Sequence, residues 1–485
     1  MKKLTLVITA VLILGTAVVV IQTLLHAPPP FADITQVNID LDEMALAEHL
    51  SQAITFQTVS HQSSSEKQDL EFQRFINWTK ATYPEVNSQL SLVMLNQTML
   101  YKWQGSNNQL QPILLTGHYD VVPVMPGSEN KWTHPPFAGE SVNGEIWGRG
   151  ALDDKSGVVG MLEAVTYLLK DGFKPARTIY LSFGHDEEIG GPKGAAAVTA
   201  FLKKKQIQLA WSLDEGSFLF KGMFPGVNTL VAAINVAEKG SITLDIVATA
   251  AGGHSSMPPS SSAITDLAQA ITRLHENPIP GGLEGLSAKM FDVISRYMPF
   301  STKALFANPW LFSQLIEKQL SAWPTTNAML RTTTAPTMLS GSIKTNVLPI
   351  EAVATVNFRI HPRDNTESIV AFVTDTVASD TITVRNRGGR NASAVSAWDT
   401  PAFEQIAQSM REVYGDIAVA PGLMVAGSDS KHYGKVADNA YRFNPFVLAA
   451  EDVSGFHGTN EKISVATFVQ GTKGYIQIIR NGSSH

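Results

Sequence analysis

The sequence predicts an α/β protein: a mostly parallel sheet with helices on both faces, an inserted α+β domain and an N-terminal transmembrane helix. Three observations support this prediction. Short apolar, β-prone runs alternate with helical stretches over much of the chain, which is typical of a parallel sheet covered by helices. A β-α-β-β-α-β pattern interrupts this alternation after residue 238. The chain also begins with one long apolar run.

That apolar run favours a membrane anchor at residues 1–26. Lys2 and Lys3 precede a predominantly apolar stretch at 4–25, which at about 1.5 Å per residue spans the roughly 30 Å hydrocarbon core. The two lysines orient the N-terminus towards the cytoplasm, so the remaining chain is expected to be extracytoplasmic, either periplasmic or extracellular. A cleaved signal peptide, giving a secreted protein, is the alternative. The length of the run and the lack of a clear small-x-small cleavage site favour the single-pass anchor.

The composition fits a large folded protein. With 485 residues, 44% of them hydrophobic and 16% charged, the chain is long enough for two or three domains with sizeable cores. The net charge of −6 and the lack of a basic stripe argue against nucleic acid as a partner. There is no cysteine, so disulfides and thiolate metal ligands are excluded, but the redox compartment is not indicated.

The first part of a catalytic domain is predicted at residues 27–238. Its helices are predicted at 41–59, 66–80, 158–169 and 194–203, and its strands at 91–94, 99–103, 112–116, 178–183 and 209–213. The alternation of the two kinds of element predicts the parallel sheet. A second part at 389–485 contains predicted helices at 403–414 and 465–479.

Between these parts, residues 239–388 are predicted to form a smaller domain. Its strands are predicted at 241–249, 338–344, 352–360 and 382–385, and its helices at 262–274 and 366–377. Alternation of polar and apolar residues predicts that the strand at 241–249 is half-exposed. A helical, Pro-interrupted insertion at about 277–336 is unusually apolar. Three interpretations of it stay open: a cover for a hydrophobic acyl chain, a membrane contact, or ordinary packing against the smaller domain.

Polar residues suited to metal binding follow the predicted strands. His118 and Asp120 come after the strand at 112–116, and residues two apart on extended backbone share a face, so Asp120 can hydrogen-bond the imidazole and fix its tautomer. Asp214 follows the strand at 209–213. Carboxylates and imidazoles at strand ends are typical of divalent-cation sites in α/β sheets.

Two further motifs extend this pattern. Asp153 lies in a Gly-rich turn opening a helix, where a carboxylate can bridge two metal ions; capping of that helix by Asp153 or Asp154 is the alternative. Glu187 and Glu188 follow the strand at 178–183, and adjacent glutamates can divide metal binding from proton transfer. His457 supplies a late imidazole in a Gly turn. Together these motifs predict a metallohydrolase.

The motifs Gly-His-Tyr-Asp-Val-Val-Pro, Gly-Arg-Gly-Ala-Leu-Asp-Asp-Lys, Asp-Glu-Glu-Ile-Gly-Gly and Leu-Asp-Glu-Gly resemble those of the zinc aminoacylase/carboxypeptidase family of metallopeptidases. Within that family the chain looks similar to the carboxypeptidase S (Gly-X carboxypeptidase) and N-fatty-acyl-amino-acid hydrolase branch. The resemblance covers about residues 45–480. It implies two zinc ions per subunit, with cobalt or manganese as alternatives.

The resemblance also implies a role for each of these residues. Asp153 matches the carboxylate that bridges the two ions. His118 and Asp214 would complete one site, and Glu188 and His457 the other. Glu187 matches the general base, and Asp120 matches the residue that orients His118. Asp154 occupies a position that the family does not use as a ligand.

The smaller domain resembles the family's lid, which is often a dimerisation surface and therefore suggests a homodimer. His254 matches a lid histidine that polarises the scissile carbonyl, and Asn346 and Arg359 match residues that hold the substrate carboxylate. A guanidinium fork suits that group. The stretch 427–433, beginning with Gly427 and Ser428, resembles a substrate loop. It carries Lys431 where the family usually has arginine, so a bidentate contact is not available there. His185 also replaces a commoner threonine.

The sequence therefore predicts a membrane-anchored di-zinc metallohydrolase. It would cleave the amide or peptide bond next to a C-terminal amino acid with a free carboxylate, acting on a small peptide or an N-acyl amino acid. An aminopeptidase or a biosynthetic deacylase with the same metal centre is the alternative. A non-catalytic binding protein is disfavoured because it would have no need of a base at Glu187.

Overall fold

The computed structural model describes residues 2–30, 34–62 and 66–484. The helices are α1 (Lys2–Leu25), α2 (Glu43–Ile54), α3 (Glu66–Thr82), α4 (Pro84–Gln89), α5 (Lys155–Lys170), α6 (Ala195–Lys204), α7 (Ala263–Glu276), α8 (Gly285–Ser295), α9 (Phe300–Ala307), α10 (Pro309–Ser321), α11 (Pro324–Leu330), α12 (Thr366–Val377), α13 (Pro401–Tyr414), α14 (Ser430–Tyr433) and α15 (Val465–Ser483). The strands are β1 (Ser91–Leu95), β2 (Thr98–Trp103), β3 (Ile113–His118), β4 (Ser141–Val142), β5 (Glu145–Trp147), β6 (Ile179–Gly184), β7 (Leu209–Asp214), β8 (Leu219–Lys221), β9 (Val231–Glu238), β10 (Gly240–Thr249), β11 (Gly253–His254), β12 (Thr333–Ser340), β13 (Val347–Leu348), β14 (Glu351–Ile360), β15 (Ile382–Arg390), β16 (Ala418–Met424), β17 (Ala437–Arg442), β18 (Val447–Ala449) and β19 (Lys462–Ser464).

The central sheet has the strand order β1-β2-β6-β3-β7-β17-β9-β8-β18, and β16 also pairs with β9. Its middle strands β6, β3, β7 and β17 are parallel, while β1 and β2 add an antiparallel edge. The predicted α/β class with a largely parallel central sheet is confirmed.

Apolar residues on both faces explain why these strands are central. In β3, Leu115 packs in a core with Val158 of α5 and Ile476 of α15. Its neighbour Leu114 packs on the opposite face with Leu202 of α6. Successive strand residues point to opposite faces, so both must be apolar when helices cover both sides. The carboxyl ends of β3, β6 and β7 consequently meet at one edge, where parallel sheets place their sites.

The smaller domain contains a four-stranded antiparallel sheet of order β12-β14-β10-β15, and α7 and α12 pack on its apolar face. The predicted β-α-β-β-α-β order is present. The expected half-exposure of 241–249 is wrong, because β10 lies between β14 and β15 and Asp245 on its polar face is buried. Asp245 is satisfied there by hydrogen bonds from Thr355 Oγ1 and Arg387 Nε, each 2.7 Å long.

The strand predicted at 338–344 begins and ends earlier, as β12. It pairs with β14 along its length, with an irregularity between Pro336 and Met338. Proline is tolerated because β12 is an edge strand.

The apolar insertion is helical, as predicted, and consists of α8 to α11. Phe291 and Ile294 of α8 pack with Ala418 and Ala420 of β16 in one buried cluster. The insertion therefore packs mainly on the larger sheet, rather than on the smaller domain as one interpretation held. It meets the smaller domain near His361, whose Nε2 lies 3.5 Å from Ser287 Oγ.

Helix α1 meets the length and hydropathy expected of a membrane-spanning segment, and its most apolar window is not buried in the protein. A signal sequence would have the same properties. The C-terminal turns of α1 nevertheless contact the insertion, since Asn308 donates a 3.3 Å hydrogen bond to the carbonyl of Val19.

Candidate metal centre

The strand-end residues converge on a compact cluster of metal-type ligands. Ligand atoms of His118, Asp153 and Glu188 all lie within 4.8 Å of one another. His118 ends β3, Asp153 lies in the turn before α5, and Glu188 lies in a short 3₁₀ turn after β6. Three segments far apart in sequence therefore supply one group that can hold a metal ion.

Asp153 lies between two imidazoles. Its Oδ1 is 3.0 Å from Nε2 of His118, and its Oδ2 is 3.2 Å from Nε2 of His457. The same nitrogen of His457 lies 3.3 Å from Oε2 of Glu188. Each oxygen of Asp153 thus faces a different histidine, which is the arrangement that a carboxylate shared by two metal ions requires.

Asp120 ties two of these motifs together. Its buried carboxylate accepts hydrogen bonds from the backbone N–H groups of Glu187 and Glu188, each 3.1 Å long. Nδ1 of His118 lies 3.0 Å from the main-chain oxygen of Asp120 and 3.4 Å from its Oδ1. Asp120 therefore positions the His118 ring and the two glutamates at once, so that Nε2 of His118 faces Asp153.

Two of the buried carboxylate oxygens that lack a hydrogen-bond partner among the described residues belong to candidate ligands. They are Oδ2 of Asp214, at the end of β7, and Oε1 of Glu188. Burial raises the pKa of Asp214 to about 6, although Arg442 and His118 oppose this effect. Uncompensated oxygens of this kind are costly unless a cation is present. Carboxylate and imidazole donors also suit zinc, so the residues fit the metal that the sequence predicts.

Glu187 lies beside this cluster. Burial raises its pKa well above the ordinary range, and Asp429 raises it further, while His118 and Lys431 lower it. Nζ of Lys431 is 4.0 Å from its Oε1. Glu187 is therefore a carboxylate next to the candidate ligands, which is where a general base acting on a metal-bound water is expected, and Lys431 favours its ionised form.

Sequence reasoning missed the role of Glu461. Its Oε1 accepts hydrogen bonds from the backbone N–H groups of Gly150, Leu152 and Asp153, between 2.8 and 3.1 Å long. Its Oε2 forms a 2.6 Å ion pair with the buried Arg149. Glu461 thus shapes the turn that carries Asp153. The one available signal was its position four residues after His457.

Asp154 occupies the N-cap position of α5, but its side chain makes no capping hydrogen bond. Its Oδ2 instead accepts a 3.3 Å hydrogen bond from the N–H of His118, and its Oδ1 accepts a 2.9 Å bond from Asn444. Burial raises its pKa to about 8. Asp154 therefore holds the backbone N–H of His118 in place. His185, by comparison, is buried with its Nδ1 2.7 Å from Thr98 Oγ1.

The smaller domain brings two of its predicted residues together. His254 in β11 is exposed, its strand pairs with β13, and the carbonyl of the adjacent Asn346 accepts a 3.2 Å hydrogen bond from Ser255. Arg359 is exposed on β14. Among the described residues, no hydrogen bond or ion pair joins any of these three side chains to the metal cluster.

The two predicted substrate-loop residues after β16 differ in burial. Gly427 is half-buried, whereas Ser428 is fully buried and its hydroxyl donates a 3.2 Å hydrogen bond to Oε2 of Glu238. That carboxylate also pairs with Arg442 of the larger sheet and with Arg390 of the smaller domain. Ser428 thus anchors the loop at the junction of the two sheets.

The profile of peptidase family M20/M25/M40 matches residues 114–481, which contain all five candidate ligands and the candidate base. The chain belongs to this family. M20 peptidases are metal-dependent and typically use zinc, and the present protein is accordingly a metallopeptidase or amidohydrolase of this class.

Curated M20 relatives cover nearly the whole chain. A probable carboxypeptidase S-like 2 of Dictyostelium discoideum is 38% identical over 91% of this chain and 86% of its own length. The N-fatty-acyl-amino acid synthase/hydrolase PM20D1 of Xenopus tropicalis is 39% identical over 90% and 86%. The resemblance to the carboxypeptidase S and N-fatty-acyl-amino-acid hydrolase branch is confirmed.

Solved M20-type structures share the fold. A family M20 metallo-carboxypeptidase of Sulfolobus solfataricus aligns with a TM-score of 0.63 at 17% identity, covering 91% of this chain and 99% of the other. Human carnosine dipeptidase 1 gives a TM-score of 0.63 at 15% identity, covering 91% and 96%. At these identities the likeness concerns the fold alone.

Proposed function

We propose that this M20 protein is a membrane-anchored, extracytoplasmic di-zinc hydrolase. It cleaves the amide between an acyl or peptidyl group and an amino acid whose α-carboxylate is free. The observation that carries this proposal is the placement of Asp153 between His118 and His457, one histidine facing each oxygen. In the proposal His118 and Asp214 hold one zinc ion, Glu188 and His457 hold the other, and Asp153 is shared.

When bound, the zinc ions supply Lewis-acid polarisation of the carbonyl and a lower pKa of the attacking water. Glu187 accepts one proton from that water as the water oxygen bonds to the carbonyl carbon. Glu187 then delivers the proton to the amine nitrogen as the carbon–nitrogen bond breaks, which gives a carboxylic acid and a free amino acid. Asp120 holds the backbone of Glu187 and Glu188 in place for this transfer.

The smaller domain acts as a lid in this proposal. His254 donates to the developing oxyanion, and Arg359 and Asn346 bind the substrate carboxylate together with the backbone around Gly427 and Ser428. Arg359 supports this role because its exposed guanidinium has no ion-pair or hydrogen-bond partner among the described residues. Closure of the lid is needed to bring His254 to the scissile bond.

The lid is also the proposed surface of a homodimer. Its edge strand β12 leaves one side unpaired, and Met338 and Leu339 on it are exposed. Such an edge is suited to pairing with a second chain.

Zinc analysis and a substrate screen of the purified chain test the proposed function. We expect two zinc ions per chain and hydrolysis of N-acyl amino acids or dipeptides, but little hydrolysis of the same compounds with the carboxylate converted to an amide. Equal hydrolysis of the carboxamides would favour an aminopeptidase or another deacylase. A folded chain that binds no zinc would contradict the proposed di-zinc hydrolase.

Glu187→Gln tests the base separately. It should keep both zinc ions and lose roughly 100- to 10,000-fold in kcat, whereas Glu129→Gln on the surface should behave as the wild type. Substantial turnover by Glu187→Gln would refute the assignment.

A further inference from the structure

The apolar insertion exposes large hydrophobic side chains in one place. Trp310, Leu311 and Leu315 lie in the first two turns of α10, and Phe300 begins α9. All four are exposed, Trp310 by 61%. Residues 309–316 carry no charge. A contiguous exposed apolar surface of this kind marks an interaction site.

This surface, formed by residues 300–321 and called here the α9–α10 hairpin, adjoins helix α1. The side chain of Asn308, buried between the two helices of the hairpin, donates to the carbonyl of Val19 at 3.3 Å and to Thr23 Oγ1 at 3.4 Å. Nε1 of Trp310 donates a 3.0 Å hydrogen bond to Gln22 Oε1. Thr23 is consequently buried in a helix whose other residues are largely exposed.

The position of these contacts along α1 determines their depth. Val19 lies six residues before Leu25, the last residue of α1, so it is roughly 9 Å inside that end of the helix. If α1 spans a bilayer, Trp310 lies near the interface, because its partner Gln22 is roughly 4.5 Å from that end of α1. Asn308 lies slightly deeper, beside Val19. The donors that the hairpin brings to this depth are paired, since Nδ2 of Asn308 and Nε1 of Trp310 donate to α1 and unpaired groups are costly in hydrocarbon. Oδ1 of Asn308 is buried without a hydrogen-bond partner among the described residues.

We infer that the α9–α10 hairpin inserts into the surface of the lipid bilayer beside α1. Tryptophan is enriched at this depth, and the ring of Trp310 is exposed while its N–H is already satisfied by Gln22. The apolar face of the hairpin continues onto the exposed valines and leucines of α1. Lys303 in α9 can extend its ammonium group to the water layer.

The consequence is a fixed orientation of the M20 domain on the membrane. Helix α8 of the same insertion packs on β16 of the central sheet, so the sheet is held against the bilayer by packed helices. It does not swing on the segment that follows α1, which contains Pro28, Pro29 and Pro30. This inference rests on the membrane anchor of the proposed function. It requires in addition that the α9–α10 hairpin itself contacts lipid.

Because the chain has no cysteine, single cysteines for nitroxide labelling test it directly. The full chain is reconstituted into vesicles of phosphatidylcholine and phosphatidylglycerol, and the collision rates of each label with oxygen and with a water-soluble nickel chelate are measured. Leu311→Cys and Leu315→Cys report on the hairpin and Val20→Cys reports on α1. Ile343→Cys, in a fully exposed loop of the smaller domain, is the aqueous control.

The expected result is that the labels at 311, 315 and 20 collide more with oxygen than with nickel, and the label at 343 does the reverse. Lipid exposure at 20 with aqueous behaviour at 311 and 315 would overturn the hairpin inference and leave the anchor intact. Protection of 311 and 315 from both reagents would overturn it in favour of contact with a second copy of the chain. Aqueous behaviour at 20 as well would remove both the anchor and the hairpin, whereas hydrolytic activity, assayed in parallel, reports on the metal centre alone.

Discussion

The ammonium nitrogen of Lys431 lies 4.0 Å from Oε1 of Glu187. Burial raises the pKa of Glu187, and the lysine opposes that effect. A general base must be ionised to accept a proton, so this cation favours the working form of Glu187. Lysine is suited to the task because it is a compact point charge, whereas the fork of an arginine is suited to a bidentate carboxylate. We therefore expect Lys431 to act on the proposed base rather than on the substrate.

Replacing Lys431 should change the pH dependence of the reaction. In Lys431→Met the pKa of Glu187 should rise, so the acid limb of the kcat/KM profile should move to higher pH and activity below neutrality should fall. Lys431→Arg keeps the charge and should stay close to the wild type. The profiles are measured on one N-acyl amino acid substrate. An unchanged profile combined with a higher KM would instead assign Lys431 to substrate binding.

Much of this candidate centre is predictable from sequence because each candidate ligand follows a local pattern. His118 and Asp214 end apolar strands, and parallel strands bring their carboxyl ends together whatever the loops do. Glu461 is different, since it accepts a hydrogen bond from Asp153, which lies 308 residues away in the sequence. No local sequence pattern predicts such a contact. The fold shows the same contrast. Asp245 belongs to an alternation of polar and apolar residues that predicts exposure. It is buried nevertheless, because β15, which follows much later in the sequence, pairs with its strand.

The lid residues mark another limit of prediction. Motifs place His254 and Arg359 on the smaller domain, but the arrangement of that domain relative to the metal cluster depends on the connections at the ends of β9 and β15. There Glu238 pairs with Arg390. A local motif carries no information about how these connections orient the domain, and the structure leaves His254 exposed.

Loss of one histidine should remove one metal ion. His457 contacts Asp153 and Glu188 and would hold only one of the two proposed zinc ions, so His457→Ala should reduce the zinc content from two to about one per chain. Asp153→Asn should reduce it further, because that carboxylate faces both histidines. Elemental analysis after dialysis measures the content, and His275→Ala, at an exposed position on α7, is the control. Two zinc ions retained by His457→Ala would contradict the ligand assignment.

Replacing Glu461 by alanine should destabilise the protein because its ion-pair partner Arg149 stays buried without a counter-charge. Glu461→Ala leaves the buried Arg149 without its counter-charge and three backbone N–H groups without an acceptor. The expected cost is about 3–5 kcal/mol in the free energy of unfolding. Arg149→Met in the same chain should recover part of that cost, because it removes the unpaired charge. Urea denaturation of the metal-free proteins measures both effects, and strictly additive costs would argue against the pair.

Arg359 should determine affinity for the free carboxylate. Arg359→Lys retains the charge but loses the fork, so KM for an N-acyl amino acid should rise roughly 10- to 100-fold. Hydrolysis of the matching carboxamide should be unaffected. Arg385→Lys provides the matched control, since Arg385 is exposed on the same sheet and already pairs with Glu351. Equal losses on both substrates would indicate a structural role for Arg359.

The stability of the protein should fall in acid partly because of His361. This histidine is buried where the insertion meets the smaller domain, and burial, with Arg363 and Lys239 nearby, lowers its pKa to about 4. Between pH 4 and the ordinary value of about 6.5, the unfolded chain binds a proton that the folded chain does not. The free energy of unfolding must therefore fall as the pH falls through this window, by up to roughly 3 kcal/mol from this residue.

His361→Gln should remove that contribution, because glutamine binds no proton in either state and its side-chain oxygen can still accept the hydrogen bond that the N–H of Arg363 donates to Nδ1 of His361. Urea denaturation of the metal-free proteins across the window should give a smaller loss of stability for His361→Gln than for the wild type. Metal-free protein is used because zinc release in acid would add a second pH dependence. The exposed His275→Gln should follow the wild type. Parallel curves for His361→Gln and the wild type would show that His361 is protonated in the folded state despite its burial and the nearby Arg363 and Lys239.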